Sequence, residues 1–264
     1  FLADYRDLIS WIYDMKAIIS SDELAKDVAG AEALLERLQE HQSEIDARKD
    51  AFTAFEASGA SLLEKEIAPK EVREKMATVK SEYEALISLR EERRILYEQC
   101  MDLQLFYRDT EQAETWMTKH ETFLLNEDLG ETLDQVEALM KKHDDFEKSL
   151  ITQSETVNNL DKFGVKLVEA QHYAMDDIEK RRLGLLDRRA AINKKSNKRR
   201  LMLEAAYQLQ QFERDCDEIK GLITEKLKTA ADENYRDPTN INGKLQKHQQ
   251  FNQELEANRG RVEE

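Results

Sequence analysis

The stretch from Glu71 to Asn126 reads EVREKMATVKSEYEALISLREERRILYEQCMDLQLFYRDTEQAETWMTKHETFLLN and contains neither glycine nor proline. Pro69 bounds it on one side and Gly130 on the other. Leucine, tyrosine, phenylalanine and tryptophan recur along it at helical spacing. As one helix at ~1.5 Å per residue it would be roughly 85 Å long, against about 11–12 residues for an ordinary globular helix. A compact domain has no use for such an element. A rod of repeats does, because the helix that ends one unit can run on and begin the next.

The rest of the composition agrees. The chain has 264 residues, of which 36% are charged, with only 8 Gly and 2 Pro, so it makes few turns and long solvated helices. A hydrophobic share of 40% is enough for narrow apolar seams and argues against disorder. The formal net charge of −15 disfavours nonspecific attraction to nucleic acid or to an anionic lipid surface. Cys100 and Cys216 have no metal-ligand spacing and cannot form a disulfide framework, so both are expected to be free, buried thiols of a reducing cytosol. No apolar run approaches the roughly 18 residues of a membrane span. The first residue, Phe1, stands inside an apolar-periodic segment, which fits a piece of a longer protein.

Working outward from the long stretch, its central pair Phe106 and Trp116 is repeated as Phe1 and Trp11, and again as Phe212 and Leu222, with Phe spacings of 105 and 106 residues. LFYRDTEQAETW and QFERDCDEIKGL share Phe-x-Arg-Asp, of which the first copy keeps Phe1 and Asp4. Further on, Ala33, Leu34 and Leu35 align with Ala138, Leu139 and Met140. Leu38 and His41 then match His143 and Phe146, and these match His248 and Phe251. From there Ile45, Arg48, Phe52, Phe55, Gly59 and Leu62 run parallel to Leu150, Gln153, Val157, Leu160, Gly164 and Leu167, in steps alternating between four and three. That is a heptad seam. A third match starts near Val72 and Ile178, with Val72, Met76, Val79, Tyr83 and Leu86 in the first copy and Ile178, Leu185, Ile192 and Leu203 in the second.

Each complete unit therefore reads as three helices, A (about 1–20), B (about 26–61) and C (about 70–103), each with one seam that it cannot bury alone. The fold class is all-α, a tandem of left-handed three-helix bundles joined by continuous helices into an extended rod. The division is 1–104, 105–210 and a partial unit 211–264 with helix A and part of B. Polar turns at Ser21-Asp22-Glu23, Asn126-Glu127-Asp128 and Ala231-Asp232-Glu233 separate A from B, Asp237-Pro238 starts the third B helix, and no break separates C from the next A. Glu264 falls at the equivalent of Asn159, so the seam of Phe251, Leu255 and Val262 is expected to need a longer parent chain or a partner to cover it.

Units of about 106 residues with three heptad helices, a Trp inside A and an unbroken C-to-A junction resemble spectrin repeats. The residues that carry the likeness are Phe106, Arg108, Asp109 and Trp116, the Glu137–His143 segment EALMKKH, Asp237–Ile241 and SSDELAKDV at Ser20–Val28. Within the family they resemble mid-chain repeats of the α type, erythroid more than non-erythroid. The chain departs from the family at Tyr83, Arg189 and Leu222, where a Trp is frequent, so the second and third units are expected to be less stable than the first. The resemblance implies an elastic spacer of the membrane skeleton on the cytoplasmic face of the plasma membrane. It also implies antiparallel pairing with β-spectrin and then tetramers, with actin and ankyrin reached indirectly through the complex, and membrane association only indirect.

No phosphate-binding glycine loop, HExxH motif, calcium loop or nucleophile constellation is present, so no enzyme, cofactor or metal is expected. Trp11, Trp116, Leu222, His143 and His248 are read as structural core, with Leu8, Met15 and Ile18 as seam neighbours of Trp11. The compositional anomaly is Lys180 to Arg200, ten Lys or Arg with only Asp187 in between. Lys194, Lys195, Lys198, Arg199 and Arg200 are the candidate docking residues for an acidic adaptor, a facing spectrin strand or a calmodulin-like partner. The opposing reading is a solvated face neutralised by Asp144, Asp145 and Glu147. Arg182, Arg189 and Arg199 fall near seam positions, where a guanidinium must snorkel or pair.

Overall fold

The computed structural model describes residues 1–263. Glu264, the position aligned with Asn159, lies outside the described residues. The elements are α1 (Leu2–Ile19), α2 (Val28–Ala47), α3 (Lys49–Glu64), α4 (Pro69–Phe123), α5 (Leu133–Glu169), α6 (Met175–Ala230) and α7 (Ile241–Glu263), with a 3-10 turn at Glu233–Arg236. Among the described residues there is no strand. The chain is all-α, and α4 and α6 run for 55 and 56 residues without interruption.

Local chemistry sets the ends. Pro69 opens α4, where its missing N–H costs nothing because the first helical donors have no intrahelical acceptor. Asp27 caps α2 by accepting from the Gly30 N–H at 2.6 Å. Before α5, Thr132 Oγ1 accepts from the Gln135 N–H at 3.3 Å while Gln135 Oε1 accepts from the Glu131 N–H at 2.8 Å, a reciprocal arrangement of the capping-box kind. Pro238 does not open a helix: Asp237 accepts from Thr239 N–H and hydroxyl at 3.1 and 2.6 Å, and α7 starts only at Ile241. The first B helix, read as one element, is divided into α2 and α3 at Arg48. Arg48 stands at a seam position and snorkels from it to the surface, over the Trp11 ring at 5.3 Å.

The chain forms two compact units. The first comprises Phe1–Lys119 and Gln153–Ala190. In it Ile12, Met15, Ile19, Ile45 and Leu86 form one core cluster, and Leu8, Phe55 and Val79 another. Phe1 stacks on Phe55 with ring centroids 4.7 Å apart, and Phe52 lies 4.4 Å from Tyr83. Helices α1, α2–α3 and α4 thus meet along their seams. Further along, Phe106 of α4 and Arg182 of α6 close on α5 at Gly164, where an added Cβ would come within 3.3 Å of the Phe106 ring and 3.1 Å of Arg182. A glycine at this seam position permits that close approach.

The second unit comprises His120–Thr152 and the chain from Ala191 onward. Its core joins α4 (His120, Phe123), α5 (Val136, His143, Phe146) and α6 (Ile192, Leu203), with Phe123 and Phe146 stacked at 4.4 Å. Beyond it α6 and α7 pair through Lys226 and Glu254.

The α1 seam matches the sequence expectation at Leu8 and Met15 and departs from it by one residue at the other two positions, where Ile12 and Ile19 replace Trp11 and Ile18. Leu8, Ile12, Met15 and Ile19 are buried, while Trp11 is only half-buried and Ile18 is 54% exposed. In the second repeat Met117 is buried and Trp116 half-buried. Both tryptophans flank the seam. Along α4, the buried positions Val72, Val79 and Leu86 step by seven, whereas Tyr97, Cys100, Leu103 and Phe106 step by three. At about 100° per residue, those nine positions turn the buried face through about 180°. The helix changes the side it buries as it passes from one repeat to the next.

Candidate functional site

Two features have the geometry of functional elements, the junction along α4 and the outer face of the second C helix.

At the junction, loops from both sides dock on one short stretch of α4, between Gln99 and Tyr107. Gln104 donates to the Ala25 carbonyl at 3.3 Å, and the Cys100 thiol reaches it at 3.6 Å. From the other side, buried His172 donates through Nε2 to the Gln99 carbonyl at 2.7 Å and accepts through Nδ1 from the Ala174 N–H at 3.0 Å. Those two bonds fix the neutral tautomer. Tyr107 donates to Asp177 at 2.5 Å beneath the Arg181 guanidinium, and burial followed by the Asp177 contact pushes its hydroxyl pKa up to about 12. Burial likewise raises the Asp102 carboxyl above its usual range. The long helix is held by side chains on both sides of its midpoint, which sequence periodicity alone could not reveal.

The basic segment separates into two groups. Lys194, Lys195 and Lys198 are exposed and make no ion pair with any described residue. Arg199 is buried and Arg200 half-buried, and both are engaged within the chain. Arg199 is 8% exposed and donates to the Asn126 carbonyl at 2.5 Å and the Asp128 carbonyl at 3.0 Å. Arg200 pairs with Asp144 and with Glu147, the latter at 2.7 Å. Its hydrogen bonds hold both carboxyls below their usual range. The first repeat has the same device: Arg93 donates to the Ser20 carbonyl at 3.2 Å and to Asp22 at 2.8 Å. In both repeats an arginine of helix C ties down the chain where helix A gives way to the A–B turn: Arg93 reaches the carbonyl of the residue that follows α1, and Arg199 reaches two carbonyls of the turn after α4. The other seam arginines pair as well, Arg182 with Asp161 and Glu179 at 2.6 Å each, and Arg189 with Asn158 at 2.6 Å.

His143 is completely buried, with Nε2 3.1 Å from the Ser196 carbonyl and 3.1 Å from Glu147, and with no partner at Nδ1 among the described residues. Burial pushes its pKa below the ordinary value, against the opposing pull of Glu147. His120, edge-on to Phe146 at 5.2 Å, is lowered by burial too. His248 differs from the expectation: it is exposed, because the described residues around it supply two helices and no third. Leu222 is half-buried and lines a cleft of about 320 Å³ with Phe251, Leu255 and Val262. Cys100 is buried and Cys216 half-buried, both free. Among the described residues no His, Cys, Asp and Glu cluster could hold a metal, and no helix is long and apolar enough to cross a membrane.

A family model described as "Spectrin repeat" matches residues 1–99, 101–205 and 207–264. The chain belongs to the spectrin repeat family. It is 42% identical, over 98% of its length, to the "Spectrin alpha chain, erythrocytic 1" of Mus musculus. It is 28% identical over 99% to the "Spectrin beta chain" of Drosophila melanogaster, and 29% identical over its full length to the "Spectrin beta chain, erythrocytic" of Mus musculus. The spectrin repeats here span between 11% and 12% of the length of those relatives. The higher identity to an α chain agrees with the resemblance carried by the Glu137–His143 and Asp237–Ile241 segments.

Proposed function

We propose that this chain is a structural segment of a spectrin membrane skeleton, an elastic spacer without catalytic activity on the cytoplasmic face of the plasma membrane. The observation that carries this reading is the pair of uninterrupted helices, α4 and α6, each shared between consecutive repeats. A hydrogen-bonded helix common to two bundles couples their unfolding, because breaking the seam of one frays an element that the other needs. The junction bonds from Gln104 and His172 strengthen that coupling. The partition into repeats 1–104, 105–210 and 211–264 belongs to this proposal. So does antiparallel pairing with a β-spectrin chain, actin and ankyrin being engaged through other parts of the complex.

Single-molecule stretching of the chain tests the mechanical role. The native chain is expected to lose its first two repeats in coupled steps, and Gln104→Pro, which breaks the junction helix, is expected to separate them. Identical step patterns for the two proteins refute the spacer reading. Co-sedimentation with a β-spectrin rod segment tests the pairing, and its absence at micromolar concentrations of both chains removes that part alone.

A further inference from the structure

The two complete repeats expose the same face of helix C with opposite charge. Their registers are fixed by the buried pairs Val79 and Leu185, Leu86 and Ile192, and by the capping arginines Arg93 and Arg199, each pair 106 positions apart. At the outward positions the first repeat carries Glu84, Ser88, Glu91, Glu92 and Ile95, and the second carries Ala190, Lys194, Asn197, Lys198 and Leu201. The apolar knob at the end is retained and stands out from both surfaces, Ile95 at 48% exposure and Leu201 at 66%. On the first face Ile87 and Ile95 line a shallow depression together with Glu84, Glu91 and Glu92. Glu91 is tied to Arg94 at 2.5 Å, but Glu84 and Glu92 make no ion pair with any described residue. Lys194, Lys195 and Lys198 are equally unengaged.

We propose that these faces bind each other between two copies of this chain, the acidic helix-C face of one copy's first repeat against the basic helix-C face of the other's second repeat. Within one chain Glu84 and Glu92 on the first face, and Lys194 and Lys198 on the second, make no ion pair with any described residue, and each face leaves an isoleucine or leucine in water; the other face supplies both an opposite charge and an apolar group. Opposite charges bring the helices together and set their partner, while Ile87, Ile95, Leu201 and Met202 are the groups that lose contact with water. The net charge of −15 opposes association at very low ionic strength. At about 0.1 M salt, with a Debye length of about 10 Å, only the local complementary charges still interact strongly. This contact between like chains is independent of the proposed pairing with a β chain.

Sedimentation equilibrium of the whole chain at about 0.1 M salt tests it, with two exposed-surface variants. The native chain is expected to self-associate reversibly. Lys194→Glu with Lys198→Glu, and separately Glu84→Lys with Glu92→Lys, are each expected to weaken that association about tenfold or more, since attraction at several exposed pairs becomes repulsion. Mixed with each other, the two variants present opposite charges and are expected to bind at least as tightly as the native chain binds itself. A native chain that stays monomeric at millimolar concentration overturns the proposal. So does self-association that survives both variants, which would place the contact elsewhere, for example in the α6–α7 cleft. Failure of the mixed variants to associate overturns it as well.

Discussion

Replacing Arg199 with alanine separates its two possible roles. As a docking residue its loss would weaken a partner and leave the fold intact. The structure assigns it instead to the turn that follows helix A, where it donates to the carbonyls of Asn126 and Asp128 at 2.5 and 3.0 Å. Hydrogen bonds to a charged group contribute about 1.5–3 kcal/mol each. Against that sum, the substitution relieves a desolvated guanidinium whose Nε has no partner, and water reaches both exposed acceptor residues. The net loss is about 2 kcal/mol, or roughly a 30-fold rise in the local opening constant. Arg93→Ala is the internal control: one of its acceptors, Asp22, has a side chain 91% exposed, so the same change there costs at most about 1 kcal/mol. Native-state hydrogen exchange at the amides of Leu124, Leu125 and Asn126, which donate to His120, Thr122 and Phe123, reads the effect directly. Unchanged exchange in Arg199→Ala, or an equal response to the two substitutions, would refute the reasoning.

The second unit is expected to lose stability in mild acid. Burial lowers the pKa of His143 and His120 in the folded state, so below the ordinary value of 6.5 the unfolded chain takes up protons that the folded one refuses. Stability is then lost as pH falls from about 6.5 toward the folded values, at up to about 1.4 kcal/mol per pH unit for each histidine. Thermal unfolding at pH about 7.5 and 5.5 measures it, and His143→Leu is expected to reduce the difference. The carboxyls of Asp144 and Glu147, held low by Arg200, stabilise the fold above the ordinary carboxylate range, and that contribution is lost only as pH falls below it. Gly184→Ala and Gly221→Ala, each with nothing within 4 Å of the new methyl, are expected to stabilise their helix by about 0.5–1 kcal/mol. Gly164→Ala gains nothing, because its methyl meets Arg182 and Phe106, and urea midpoints that rank these variants otherwise would contradict the packing described. Ile12→Ala, at a fully buried seam position, is expected to cost about 2–5 kcal/mol in urea denaturation, and a cost below 1 kcal/mol would return the seam to Trp11 and Ile18.

The parts of the fold legible in the sequence are those that repeat. Val79 and Leu185, or Leu86 and Ile192, declare themselves because burial recurs at a fixed interval, and the missing glycine and proline between Glu71 and Asn126 leave helix as the available conformation. In the α1 seam Leu8 and Met15 are legible, but Trp11 and Ile12, like Ile18 and Ile19, are adjacent apolar residues that a pattern of period 3.5 cannot order. Packing decides, and the smaller side chains fit between the helices while Trp11 meets Phe52 edge-on at 6.0 Å. Arg199 and Arg200 looked like part of one basic face because charge in a sequence has no direction. Their acceptors lie 53 to 73 residues away, and only the folded chain brings them together. His248 matches His143 in register, but only His143 has a third helix over it, and a sequence match carries register without burial.

The run Tyr97, Cys100, Leu103, Phe106 makes the middle of α4 a reading frame. Insertions in the turns before Val28 or Leu133 lengthen a loop and leave every seam where it was. One residue added or removed between Tyr97 and Phe106 would rotate everything downstream by about 100° and aim Phe106, Ala113 and Met117 away from α5. Among spectrin repeats of this kind, length variation is therefore expected to collect in the A–B and B–C turns and to be absent from the shared helix, which inherits its phase as strictly as its composition.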